Sequence, residues 1–191
     1  QKIREEANPN HSGYEPYNYF LSVIFPHDEM QILDYNRVAK DLNGFTEEQF
    51  HESINKNFDI VPIPHPPSPI PENNYSMHIN GKWYQLEAKT HVKSDDPVEG
   101  LEASILQKYL LTPILDIDDP RTNKRIDFVG GIRGMVELER RCEIDCQVAF
   151  ALPPVSIEQL LSVADSGQVM PPKSTWFEPK LRSGMVVRLL D

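Results

Sequence analysis

Hydrophobic and polar positions are patterned from early in the chain. "NYFLSVIFP" and "MQILDYNRV" are rich in aromatic and β-branched residues, which predicts two strands joined by the polar turn His27-Asp28-Glu29. The period then changes. In "GFTEEQFHESINKNF", Phe50, Ile54 and Phe58 recur every four residues, Thr46 with Gln49 spells a capping box, and Phe45 with Phe50 a hydrophobic staple, which predicts a helix. "VPIPHPPSPIP" comes next, a proline-rich loop over residues 61–71 that must be extended and reads as polyproline II, a stiff connector rather than a partner's Pro64-x-x-Pro67 ligand.

The second half continues the alternation. "YSMHINGKWYQL" is a hairpin around Asn80-Gly81, because both turn residues tolerate a positive φ. Asp96-Pro97-Val98-Glu99 supplies an N-cap, an N1 proline and an N3 glutamate, opening the helix "VEGLEASILQKYLL" that Pro113 bends or ends. "RIDFVGG" is a strand feeding the helix "GMVELERRCEI". "QVAFALPPV" is a strand before a helix capped at Ser156 and Gln159, with a Val155/Leu160 staple and a Gly167 stop, and "GMVVRLL" is the last strand. Hairpins mixed with crossovers predict an α+β fold, with a mixed, largely antiparallel sheet and several flanking helices. Residues 1–191 read as a single α/β-type domain. The opening "QKIREEANPN" reads as the end of a helix stopped by Asn8-Pro9, with no initiator Met, so the chain is expected to be the C-terminal portion of a longer protein.

Composition narrows the classes. Hydrophobic residues at 39% and charged residues at 25% are globular values, which excludes overall disorder. No run of about 18 apolar residues offers a membrane span. The two cysteines, Cys142 and Cys146, are too few for a disulfide framework and read as free thiols of a cytoplasmic protein. A net charge of −10 argues against nucleic acid as partner. Yet residues 121–133 and 173–188 are each net +3, and such basic islands on an acidic chain suit a small anionic ligand.

Several motifs fail on inspection. "GQVMPPKS" has P-loop spacing, but Pro172 stands where a glycine N–H is needed and a helix precedes it. "DIDDPRTNKRID" begins like a calcium loop, but Pro120 takes the fifth position and no glycine the sixth. The six histidines lie singly, so no metal site is expected. Two features remain. Gly130-Gly131, with Gly134, sits at a strand-to-helix junction where an anion can approach backbone N–H groups, or where the glycines are purely steric. The block "MPPKSTWFEPKLRSGM" is either a charged site or an edge strand anchored by Trp176 and Phe177; if extended, Lys173, Thr175 and Phe177 share one face and Ser174, Trp176 and Glu178 the other.

That block, together with "LEASILQKYLLTPIL", "DPRTNKRIDFVGG" and "LDYNRVAKDL", resembles the domain of unknown function 1015 family, widespread in bacteria and without an established activity. The resemblance covers nearly the whole chain. It implies an upstream Asp-Gly-His-His-Arg type motif in a ParB-like segment, which these residues lack, and some ParB-like relatives phosphorylate free serine. By analogy, the resemblance implies the C-terminal part of a small-molecule phosphotransferase-like protein, related to serine or phosphoserine, that binds a phosphate-bearing ligand. The implied ligand-binding residues are Lys173, Ser174, Thr175, Glu178, Lys180 and Arg182, with Gly130, Gly131 and Arg125. The catalytic residues stay unknown, and this fragment alone is expected to be inactive. The candidate cofactor is a nucleotide with magnesium in the full-length protein, and the expected partners are a small anionic ligand and the protein's own N-terminal part. The alternative is a non-catalytic binding, regulatory or structural domain whose C-terminal block is packing only.

Overall fold

The computed structural model describes residues 1–180, 182 and 184–187. It divides into two compact units: Gln1–Gln31 with the described residues from Pro179 on, and Ile32–Glu178.

The first unit holds helix α1 (Lys2–Ala7) and two short 3₁₀ turns, Pro16–Asn18 and His27–Glu29. The strand predicted over "NYFLSVIFP" is not formed. Phe20 is 84% exposed and Ile24 92%, so this stretch has β-propensity but no ladder to join. Gly184–Val187, the described part of the predicted last strand, is likewise turn and bend; residues 188–190 lie outside the described residues.

The second unit is built on a six-stranded antiparallel sheet. Its elements run β1 (Gln31–Leu33, which begins at the unit boundary), β2 (Tyr35–Ala39), α2 (Glu47–Ile54), β3 (Phe58–Ile63), β4 (Asn74–Ile79), β5 (Lys82–Ala88), α3 (Glu102–Leu106), β6 (Ile126–Gly130), α4 (Gly134–Ile144), β7 (Val148–Ala151), α5 (Ile157–Asp165) and β8 (Trp176–Glu178). The sheet order is β3-β5-β4-β7-β2-β6, and β1 pairs with β8 in a separate ribbon. The α+β architecture read from the sequence is therefore the observed one.

Local chemistry accounts for most element ends. Thr46 and Ser156 form capping boxes with Gln49 and Gln159 at the starts of α2 and α5. Asn80 and Gly81 take φ of +48° and +71° in the two-residue β4–β5 turn. Gly167 at φ +70° ends α5 in a Schellman arrangement: its N–H donates to Ala164 O, and the Gln168 N–H to Val163 O.

Other predicted elements differ in extent: the single strand expected over "MQILDYNRV" is broken at Asp34 into β1 and β2, which join different sheets. Helix α2 stops at Ile54, and Phe58 opens β3 instead of continuing the helix, because the chain turns at Asn55–Asn57 and Asn57 Nδ2 donates to Tyr109 O at 3.1 Å. Asp96 caps as expected, accepting from the Val98 and Glu99 N–H groups, but the turn lasts only to Gly100. Leu101, 1% exposed, swings to ψ 140°, and α3 begins after it, running on into a π-helical turn at Gln107–Leu111. The proline-rich stretch gives its first three residues to β3, where Pro62 is tolerated because β3 is an edge strand.

The two faces of the sheet bury different cores. Alternation places Val38 with Val129, Ala149 and Leu138 beneath α4, and Ala39 with Phe150, Met77, Ile79 and the α2 and α3 side chains in the larger core. Arg37 shares the face of Ala39. Its register partners are Phe128 on β6 and Phe150 on β7, so a guanidinium stands in the central part of an apolar sheet at 4% exposure.

Candidate functional site

A buried cation demands an account, because removing it from water is costly unless a partner compensates. Arg37 Nη1 donates to Tyr35 O, Nη2 donates to Lys173 O at 3.2 Å, and the guanidinium carbon lies 5.7 Å from the Phe128 ring centre. Among the described residues it makes no ion pair with a carboxylate. Among the described residues, two of its five N–H groups thus meet protein acceptors and three do not. Burial pulls its pKa down to about 10, which leaves it charged at neutral pH.

Arg37 lines a cavity of about 540 Å³ within the second unit. One wall is α3 and its π-turn, which present Ala103, Ser104, Gln107 and Lys108; another is the loop Asp118–Arg121; a third is Pro171 and Pro172. The loop is aimed by Asp116, at φ +55°, and by Gln107, whose amide donates to Ile117 O at 2.6 Å and Thr112 Oγ1 at 3.0 Å. Lys108 and Arg121 do not add free positive charge: Lys108 is bonded to Glu99, and Arg121 makes a two-point pair with Asp119 at 2.9 Å, which lowers the Asp119 pKa to about 2. With these pairs neutral, the buried Arg37 and the exposed Asp118 carry the remaining charges of the lining. Such a cavity can hold the anionic group of a small ligand by charge-assisted hydrogen bonds.

The residues picked from sequence fall in four places. Lys173 and Ser174 lie in the turn just after the cavity wall: Lys173 takes φ +57°, and the 6%-exposed Ser174 donates Oγ to Pro171 O at 2.8 Å. The extended geometry expected from Lys173 on therefore begins later, at β8, because the left-handed residue breaks it. Thr175 is half-buried beside them, and Glu178 accepts from the Trp176 indole N–H at 2.7 Å. Lys180 and Arg182 belong to the first unit.

Gly130 and Gly131 are occupied by packing. A Cβ on Gly130 would stand 2.4 Å from the Trp176 ring, and one on Gly131 1.9 Å from the Asp34 carboxylate, while the Gly131 N–H donates to Asp34 O at 2.8 Å. Arg125 is committed to Asp41, with Nε at 3.1 and 3.0 Å from the two carboxylate oxygens, and to Leu115 O at 2.8 Å.

The sequence reading missed Arg37, a single cation inside a strand pattern. The signal was a charged residue in phase with Ala39 on an otherwise apolar face. Among the described residues no three His, Cys, Asp or Glu side chains are gathered in one place. No helix among them is long and apolar enough to cross a membrane.

Among solved structures, the chain is similar to a point mutant of a free serine kinase in complex with ADP, at 16% identity over 82% of this chain and 58% of that one, and to a free serine kinase in complex with AMP, at 12% identity over 78% and 54%; the TM-score is 0.49 for each. The chain thus spans a little over half the length of these structures. No curated protein sequence matches it. A family model, protein of unknown function (DUF1015), matches residues 1–104, more than half of the chain, and the chain belongs to that family.

Proposed function

We propose that this chain binds a small phosphate-bearing ligand in the cavity under Arg37. The observation that carries the reading is the buried guanidinium with no carboxylate partner among the described residues and three N–H groups left over at the wall of a cavity. A protein keeps such a group at a cost to stability, and a bound oxyanion offsets that cost through charge-assisted hydrogen bonds. In this reading the whole protein is phosphotransferase-like and its ligand related to serine or phosphoserine, the reaction class implied by the family resemblance. The cavity supplies anion positioning to that reaction and not the nucleophile or base.

The test is calorimetric titration of the full chain with inorganic phosphate, phosphoserine and a nucleotide, in wild type and Arg37→Met. Binding to wild type that weakens in the variant is the expected result. Equal affinity in both proteins overturns the reading. The second reading, of the C-terminal block as packing, has its own observation: Trp176 lies over Gly130 and against Tyr35, with ring centres 5.3 Å apart.

A further inference from the structure

Resting on the reading of the cavity as an anion site, we propose that the turn Pro171–Ser174 is the device that positions Arg37, and that Lys173 serves the site through its backbone carbonyl and not through its ammonium group. Four observations converge. The Lys173 carbonyl accepts from Arg37 Nη2, while its side chain is exposed, with Nζ 5.6 Å from the Tyr35 ring centre, and is not part of the cavity lining. The carbonyl reaches that direction because Lys173 is left-handed, at φ +57°, a conformation that disfavours most side chains. The turn is closed by the buried Ser174 hydroxyl on Pro171 O. Two prolines restrict the approach, and both line the cavity.

The other guanidinium acceptor is the Tyr35 carbonyl, and the Tyr35 ring is the one beneath the Lys173 ammonium. Two carbonyls therefore hold the guanidinium, leaving its free N–H groups to a ligand. Neither acceptor carries charge, so positive charge is oriented without being neutralised. A carboxylate in either place would orient Arg37 equally well and cancel its attraction for an anion. Preorganisation of this kind raises affinity by removing the ordering cost from the binding step.

Three substitutions at one position separate backbone from charge. Lys173→Gly, Lys173→Asn and Lys173→Val each remove the same ammonium, but glycine and asparagine accept a positive φ and valine does not. Inorganic phosphate affinity of the full chain, measured beside a thermal melt, is expected to stay within about twofold of wild type for Gly and Asn and to fall roughly tenfold for Val, the strain of a β-branched residue at this φ being of that order. Equal loss in all three overturns the proposal in favour of the ammonium, and equal retention in all three shows that the turn does not position Arg37. Should Lys173→Val fail to fold, Ser174→Ala decides: it keeps the lysine and releases the turn, and wild-type affinity there sinks the proposal. A melt shifted with phosphate affinity kept marks a merely structural turn. Failure of the underlying reading looks different, since wild type itself then does not bind phosphate or binds it no better than Arg37→Met.

Discussion

Two arginines of the same unit, Arg125 and Arg37, stand in opposite circumstances. Arg125 belongs to a basic island conspicuous in the sequence, yet its guanidinium is tied to Asp41 and to the Leu115 carbonyl, which raises its pKa further and leaves little charge for a ligand. Arg37 is a solitary basic residue in a strand whose hydrogen-bond acceptors, among the described residues, are two carbonyls, and its burial works against its charge. A net-positive stretch of sequence is therefore a poor guide to available charge: carboxylates distant in sequence, such as Asp41, neutralise it after folding. Of these two arginines, the one that remains available is Arg37, which among the described residues pairs with no carboxylate.

The largest expected effect breaks or confirms this contrast directly. Arg37→Met should weaken phosphate binding by about 1.5–3 kcal/mol, the range for hydrogen bonds to charged groups, while leaving the melting temperature unchanged or higher, because a desolvated charge has been exchanged for an apolar side chain. A variant that melts earlier and binds normally would make Arg37 a structural residue after all. Gly130→Ala comes next. Its Cβ would enter the Trp176 ring, and overpacking of that kind costs about 1–3 kcal/mol of stability. Phosphate affinity should not change. If affinity falls while stability holds, the glycine junction is the anion site and the cavity is not.

The range of each interaction decides how much of the fold and site is legible in the sequence. Capping boxes at Thr46 and Ser156, the Asn80-Gly81 turn and the Gly167 stop are settled by neighbours within four residues, so they can be read from a short window. The strand expected over "NYFLSVIFP", residues 18–26, has the right composition, but a strand needs a ladder, and whether one exists is decided elsewhere in the fold. The site has the same difficulty. That Lys173 meets Arg37 across 136 positions, and that its carbonyl and not its ammonium makes the contact, depends on a left-handed φ that no periodicity signals. The dense block near the C-terminus stands out in the sequence for good reason, but its aromatic half packs and its turn supports a cation supplied by β2.

Arg125→Met sharpens the other side of the comparison. The pair with Asp41 is partly exposed, with side chains 29% and 43% accessible, so solvent screening limits its worth. Loss of the pair and of the bond to the Leu115 carbonyl should lower stability by about 1 kcal/mol in a denaturant titration. Phosphate affinity should remain that of wild type. A loss of affinity equal to that of Arg37→Met would mean that the two arginines act on one ligand, and the contrast would dissolve.

The smallest effect is the pH dependence of that same difference. Hydrogen bonds from Arg125 favour the charged form of Asp41 and hold its carboxyl below the usual carboxylate range in the folded protein. In the unfolded chain it titrates near its ordinary value of about 3.9. A carboxylate whose folded pKa is depressed contributes its stability fully above the unfolded value and loses it as pH falls through the folded one. The stability gap between wild type and Arg125→Met should therefore stay level from neutral pH down to about 5, begin to narrow at about pH 4 as Asp41 of the unfolded chain takes up its proton, and go on narrowing as pH falls through the depressed folded value. Added salt should narrow it as well, because the pair is open to solvent. Denaturant midpoints across that window measure it. A gap that persists unchanged in acid would assign the contribution of Arg125 to its bond with the uncharged Leu115 carbonyl, and the neutralisation that sets it apart from Arg37 would then count for nothing in stability.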